Sequence, residues 1–97
     1  MVDDKKIIQT GSNTWKFPVI IDFDKASMYI IEMKDLSDFD EIILDMTETA
    51  RIHSSFIGFL IDLKNKSDSS GKKLVLKLSP YLENLLNKLD LYRHFFS

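Results

Sequence analysis

The chain has no cysteine, which removes disulfides and thiolate-bound metal from consideration. It has two histidines, His53 and His94, far apart in the sequence and without an obvious ligand set, so no structural metal and no cofactor is expected. It has three glycines and two prolines, and no repeat, low-complexity tract or linker interrupts it. It lacks a charge excess: 13 basic residues stand against 15 acidic ones, so no long-range field draws it toward nucleic acid or an anionic membrane. It also lacks a long apolar run. Stretches such as "FLI" fall far below the roughly 20 residues of a membrane span, and "MVDDKKII" lacks the basic-then-apolar order of a signal peptide. These absences point to a cytoplasmic chain. Its 97 residues suffice for one small domain, residues 1–97, and not for two.

What is present is an alternation of short elements. "KKIIQT" and "NTWKFPVI" read as two opening strands joined by "GSN", with Pro18 restricted to an edge or a strand end because it has no amide hydrogen. "DFDKASMYIIEMKDL" reads as a helix, capped by Asp22 or Asp24, with Ala26, Ile30 and Met33 at helical spacing. "EIILDM", residues 41–46, has the continuous apolar character expected of a central strand covered on both sheet faces. A second helix runs from Ser54 to about Lys66, and its apolar residues wrap more than half its circumference, so it needs more than one covering surface. "KLVLKL" is a further strand. "SPYLENLLNKLDL" is a third helix, with Ser79 as cap, Pro80 in the first turn, and Leu82, Leu85, Leu86 and Leu89 on one face. "RHFFS" is expected to add a short last strand. The result is an α/β layered fold: a mixed central sheet of four to five strands with three helices, one sheet face lightly covered.

In open sheets of this type ligands and partners are met beyond the carboxyl ends of the strands. The segment after "EIILDM" is such a place, and it leads into "RIHSSFIGFL". Ser54 or Ser55 serves there as an ordinary N-cap, or one of them is a site where phosphate is added or bound.

The frame "IILDMTETARIHSSFIGFL" resembles the core signature of the STAS domain family, in particular the bacterial anti-sigma-factor antagonists. In that family a strand ends in aspartate, and after a short connection Asp-Ser-Ser/Thr-Gly-Leu-Gly opens a helix. The resemblance matches Asp45 to the strand-end aspartate, Ser54 and Ser55 to the hydroxyl pair, and Gly58 to the second glycine. "KKLVLKLSPYLENLLNKLDLYRHFF" is similar to the family's fourth strand, Ser-Pro turn and third helix, so the likeness spans residues 13–97. Two positions depart: His53 stands for aspartate, and Phe56 stands for the first glycine, narrowing the room for a partner's backbone. The resemblance implies a noncatalytic protein-binding switch in transcription regulation. It would bind a serine-kinase anti-sigma factor and be regulated by phosphorylation of Ser54, with Ser55 as the structural hydroxyl. The family's acidic loop maps to Asp22 or to Asp24. The implied partner surface comprises Asp22, Asp24, Asp45, His53, Ser54, Ser55 and Gly58.

The physics of such a switch is general. Phosphate at a helix N-terminus meets unpaired amides and the positive dipole end, worth about 0.3–2 kcal/mol. A partner packed on the same spot meets a hydrated dianion, and a loss of only about 2.7 kcal/mol weakens binding about a hundredfold. The literal "DSSG" at 68–71 lies between a helix and a strand, the reverse of the required order, and Gly71 reads as a turn or helix-stop residue. A hydrolase triad of Ser54, His53 and Asp45 is disfavoured, because adjacent residues at a helix start point apart. The rival reading is a constitutive STAS subunit of a lipid-transport ABC complex, or a signalling scaffold.

Overall fold

Residues 41–46 alternate between half-buried and buried positions, the period-two pattern of a strand with one covered face. This strand organises the fold. The computed structural model describes residues 8–11, 13–33 and 39–96, in the order β1 (Ile8–Gly11), β2 (Thr14–Lys16), β3 (Ile20–Ile21), α1 (Phe23–Glu32), β4 (Glu41–Met46), β5 (Arg51–Ile52), α2 (Ser54–Ser69), β6 (Lys73–Leu78), α3 (Pro80–Lys88) and α4 (Tyr92–Phe96). β4 lies between β2 and β6, parallel to both, with Lys16↔Asp45↔Lys77 in register. β1 runs antiparallel on the outer edge of β2. β3 and β5 form a separate parallel pair, Ile20↔Arg51 and Ile21↔Ile52.

The fold is α/β, but the expectation of one central sheet of four to five strands with three helices is corrected in two ways. The strands divide between two sheets, the main one built on three parallel strands, and a fourth helix is present. The division happens at Pro18. The Phe17 amide still donates to the Asp45 carbonyl at 2.9 Å; the next residue has no amide hydrogen to continue the ladder. The Pro18 carbonyl instead accepts from the buried Thr49 hydroxyl at 2.8 Å. The expected second strand through Ile20 is thereby cut into β2 and β3. The described part of "RHFFS", Arg93 to Phe96, lies in α4 rather than a strand, after Asp90 adopts a positive φ of 60°; residue 97 lies outside the described residues. The expected start of the first strand, residues 5–7, and the end of the first helix, residues 34–36, lie outside the described residues.

The covered sheet face carries Trp15, Ile42, Leu44, Met46 and Leu76, packed with Ala26 and Tyr29 of α1, its C-cap Met33, and Phe56, Leu60 and Leu63 of α2. Phe17 meets Tyr29 and Phe56 with ring centroids 5.5 and 5.4 Å apart, contacts worth about 0.5–1.5 kcal/mol each beyond their buried area. Leu82 and Leu86 of α3 and Phe95 of α4 close the cluster. The wide apolar surface of α2 is accounted for: the helix packs against α1, β6 and α4. On the other sheet face Ile43 and Asp45 are half-buried and Lys73 and Lys77 exposed. α2 ends where Gly71, at φ 71°, lets the Lys72 amide return to the Ser67 carbonyl at 2.8 Å, a left-handed stop that favours glycine.

Candidate functional site

α1 and α2 begin side by side, because each follows directly on one strand of the β3–β5 pair. α1 is capped by Asp22, whose Oδ1 accepts from the Lys25 amide at 2.9 Å. Of the two candidate aspartates, Asp22 is therefore the cap, and Asp24 contributes an exposed carboxylate to the first turn, where it complements the helix dipole.

The cap of α2 is neither serine. It is His53, with extended φ −75° and ψ 144°, and its Nδ1 accepts from the Ser55 amide at 3.1 Å. The reason lies in the tertiary pairing. The His53 amide donates to the Ile21 carbonyl at 2.8 Å, extending the contact between the β3 and β5 segments. Helical geometry begins only at the next residue. His53 thus takes the capping role for which serine is ordinarily favoured, and the expectation that Ser54 or Ser55 caps the helix is corrected.

Ser54 is the first helical residue and is exposed. Ser55 is half-buried, its Oγ 2.9 Å from His53 Nδ1. Phe56 is fully buried, packed on Phe17, Tyr29 and Phe59. It points into the core, so it does not narrow the approach of a partner as its position in the motif implied. Gly58 is exposed, with nothing within 4 Å of where a Cβ would stand.

Asp45 sits apart from this cluster in its bonding. Its Oδ1 accepts from the Thr47 hydroxyl at 2.6 Å and the Thr47 amide at 3.1 Å. The hydroxyl bond, with the amide bond and the charges of Lys16 and Lys77, holds the carboxyl below its ordinary range against the opposing effect of burial. Asp45 orders the turn after β4; it makes no hydrogen bond to His53 or Ser54, so no triad is assembled from these three residues. Lys16 pairs with Glu48, whose hydrogen bond and charge raise the ammonium above its usual range.

The connection from Asp45 to His53 is pinned at its middle. Thr49 is fully buried; its carbonyl accepts from Ser79 Oγ at 2.5 Å, while the Ala50 amide donates to the Val19 carbonyl at 2.7 Å. Ser79 also caps α3 by accepting from the Leu82 amide at 3.2 Å. One buried hydroxyl therefore ties the end of β6 to the loop that leads to the α2 start.

Three exposed apolar residues went unnoticed in the sequence: Val19, Ile20 and Phe23. Phe23 is 58% exposed and meets the His53 ring edge to face, centroids 5.3 Å apart. The available signal was apolar residues placed beside a cap, outside the periodic positions of the helix. Asp22, Phe23, His53 and Ser54 thus share one surface around the two helix starts. Among the described residues no group of three or more His, Cys, Asp or Glu side chains could hold a metal ion, and no helix is long and apolar enough to cross a membrane. Comparison with family models, with curated proteins and with solved structures finds no match to this chain.

Proposed function

We propose that this protein is a STAS-like anti-sigma-factor antagonist: a noncatalytic switch that binds a serine-kinase anti-sigma factor and is released by phosphorylation of Ser54. The observation that carries this reading is the adjacency of the two helix starts. The β3–β5 pairing and the Phe23–His53 contact bring the acidic turn at Asp22 and Asp24 and the exposed Ser54 to a common surface. Phe23, Val19 and Ile20 supply apolar area there that a partner can bury, and Ser54 supplies a hydroxyl reachable from solvent. A phosphoryl group at Ser54 meets the positive end of the α2 dipole and is tolerated by the fold; facing a docked partner, the same dianion is desolvated and repelled.

The test is incubation with a purified serine-kinase anti-sigma factor and ATP, followed by mass spectrometry and a pull-down. Transfer to Ser54 with loss of the complex supports the reading. Transfer elsewhere in the chain, or none, removes it.

A second reading, a constitutive subunit of a lipid-transport ABC complex or of a signalling scaffold, draws on the exposed Val19, Ile20 and Phe23 as a surface for permanent burial. Ser54→Asp separates the two: retained partner binding favours the subunit, and abolished binding favours the switch.

A further inference from the structure

The two neighbouring hydroxyls at the start of α2 are not equivalent. Ser54 Oγ is exposed and makes no hydrogen bond among the described residues. Ser55 is half-buried, and its Oγ and amide both lie against one atom, His53 Nδ1, at 2.9 and 3.1 Å. To accept from that amide, Nδ1 must hold its lone pair, so the ring proton is on Nε2. With Nδ1 unprotonated, the Ser55 hydroxyl donates to it as well, sharing its single lone pair with the Ser55 amide.

In phosphoryl transfer from ATP, a serine oxygen attacks the γ-phosphorus in line. The bond from that phosphorus to the ADP oxygen breaks, and the serine proton passes to a base of the kinase. The acceptor oxygen must reach this near-attack geometry freely. Ser54 meets that requirement as it stands. Ser55 meets it only by abandoning the bond to His53 and turning out of its half-buried site.

We infer that His53 is a positioning residue that directs phosphorylation to Ser54 by occupying the hydroxyl of Ser55. The inference rests on the phosphorylation reading above. It gives a physical role to the position at which this chain departs most visibly from the motif it resembles: an imidazole stands where the motif has a carboxylate, caps α2, and discriminates between adjacent acceptors.

The experiment compares wild type, His53→Ala and His53→Asn, each incubated with a purified serine-kinase anti-sigma factor and ATP. The phosphoryl group is located by fragmentation mass spectrometry, with helicity checked by circular dichroism. Wild type is expected to carry the label on Ser54. His53→Ala is expected to raise the Ser55 share of total label by about two- to tenfold, the factor matching the net loss of one hydrogen bond at the Ser55 hydroxyl. His53→Asn, whose amide oxygen can accept at the same place, is expected to restore the wild-type ratio. A merely structural role, acting through the cap, would raise the Ser55 share only together with a loss of helicity. A raised Ser55 share at wild-type helicity is therefore the outcome the inference requires, and a share that rises only with lost helicity overturns it. Label on Ser55 in wild type would mean that Nδ1 activates that oxygen instead of occupying it, and would overturn the inference. So would an unchanged ratio in phosphorylated His53→Ala, which leaves the switch reading intact. No transfer to any of the three removes the switch reading and this inference together. A kinase-free measurement stands beside these: nitrogen-15 NMR of the His53 ring at pH 8 is expected to show the proton on Nε2, and a proton on Nδ1 overturns the inference by itself.

Discussion

The rings of Phe23 and His53 meet edge to face, centroids 5.3 Å apart, and each belongs to the first residue or cap of a different helix. Phe23 leaves more than half its surface in water while touching the residue that caps α2. An aromatic side chain held in this way is a candidate anchor for a partner, since it loses little flexibility on burial and offers a large area. Phe23→Ala is expected to change folding stability by less than about 1 kcal/mol, as for an exposed position, and to weaken partner binding by about tenfold or more. Chemical denaturation and a binding titration read the two effects separately. A large stability loss, or unaltered binding, counts against the anchor role.

Phe56 behaves in the opposite way. It is fully buried among Phe17, Tyr29 and Phe59, although the motif it interrupts carries glycine there. Phe56→Ala is expected to cost about 3–5 kcal/mol, and Phe56→Gly more, because glycine adds a helix penalty of about 1 kcal/mol. Urea denaturation measures both. A cost below about 1 kcal/mol would mean that this ring is not part of the core.

Gly58 has open space where a Cβ would stand and lies inside α2. Gly58→Ala is therefore expected to stabilise the protein by about 0.5–1 kcal/mol through reduced backbone entropy in the unfolded chain. If a partner's backbone approaches this point, the same variant binds more weakly while folding more tightly. A thermal melt and a pull-down on one preparation distinguish the two effects.

Asp45 sets an acid limit. Its carboxyl is held below the ordinary range, first by the Thr47 hydroxyl and then by the Thr47 amide and the charges of Lys16 and Lys77. A depressed folded-state value means that the folded protein binds fewer protons than the unfolded chain. The stabilisation is therefore present above the unfolded value, about 3.9, and is lost as pH falls through the folded one. Thr47→Val removes the leading hydrogen bond, so the Asp45 midpoint is expected to rise toward the ordinary value and the stabilisation to shrink. Carbon-13 NMR titration of the Asp45 carboxyl follows the shift, and an unmoved midpoint would assign the depression to the Thr47 amide and the lysines instead. Lys16, raised by Glu48, has the opposite sign: its contribution is present below the unfolded lysine value and is lost as pH rises through the folded one.

Much of the architecture was legible because it depends on residues within a few positions of each other. The Ser79–Pro80 start of α3, the limits of β4 and β6 and the Gly71 stop of α2 occur where propensity, periodicity and capping chemistry place them. Those signals act over one helical turn or one strand pleat, and nothing distant opposed them. The site was legible only as a neighbourhood. The motif drew attention to residues 53–58, the ordinary preference for serine at caps pointed to Ser54 or Ser55 where His53 takes the role, and neither signal pointed to Phe23.

By itself, then, the sequence determined an α/β chain with a central β4, a cap for α1 at Asp22 or Asp24, and an α2 whose apolar residues must be covered on several sides. Tertiary structure decided which sheet each strand joins, which of the two aspartates caps α1, which residue caps α2, and which hydroxyl is left free. Those outcomes depend on bonds between segments about 30 residues apart: His53 to Ile21, Thr49 to Pro18, and Ser79 to Thr49. A local window contains one partner of each such bond and not the other. His53, Ser54 and Ser55 are all polar residues compatible with a helix start, and it is the β3–β5 pairing that holds His53 extended and gives it the cap.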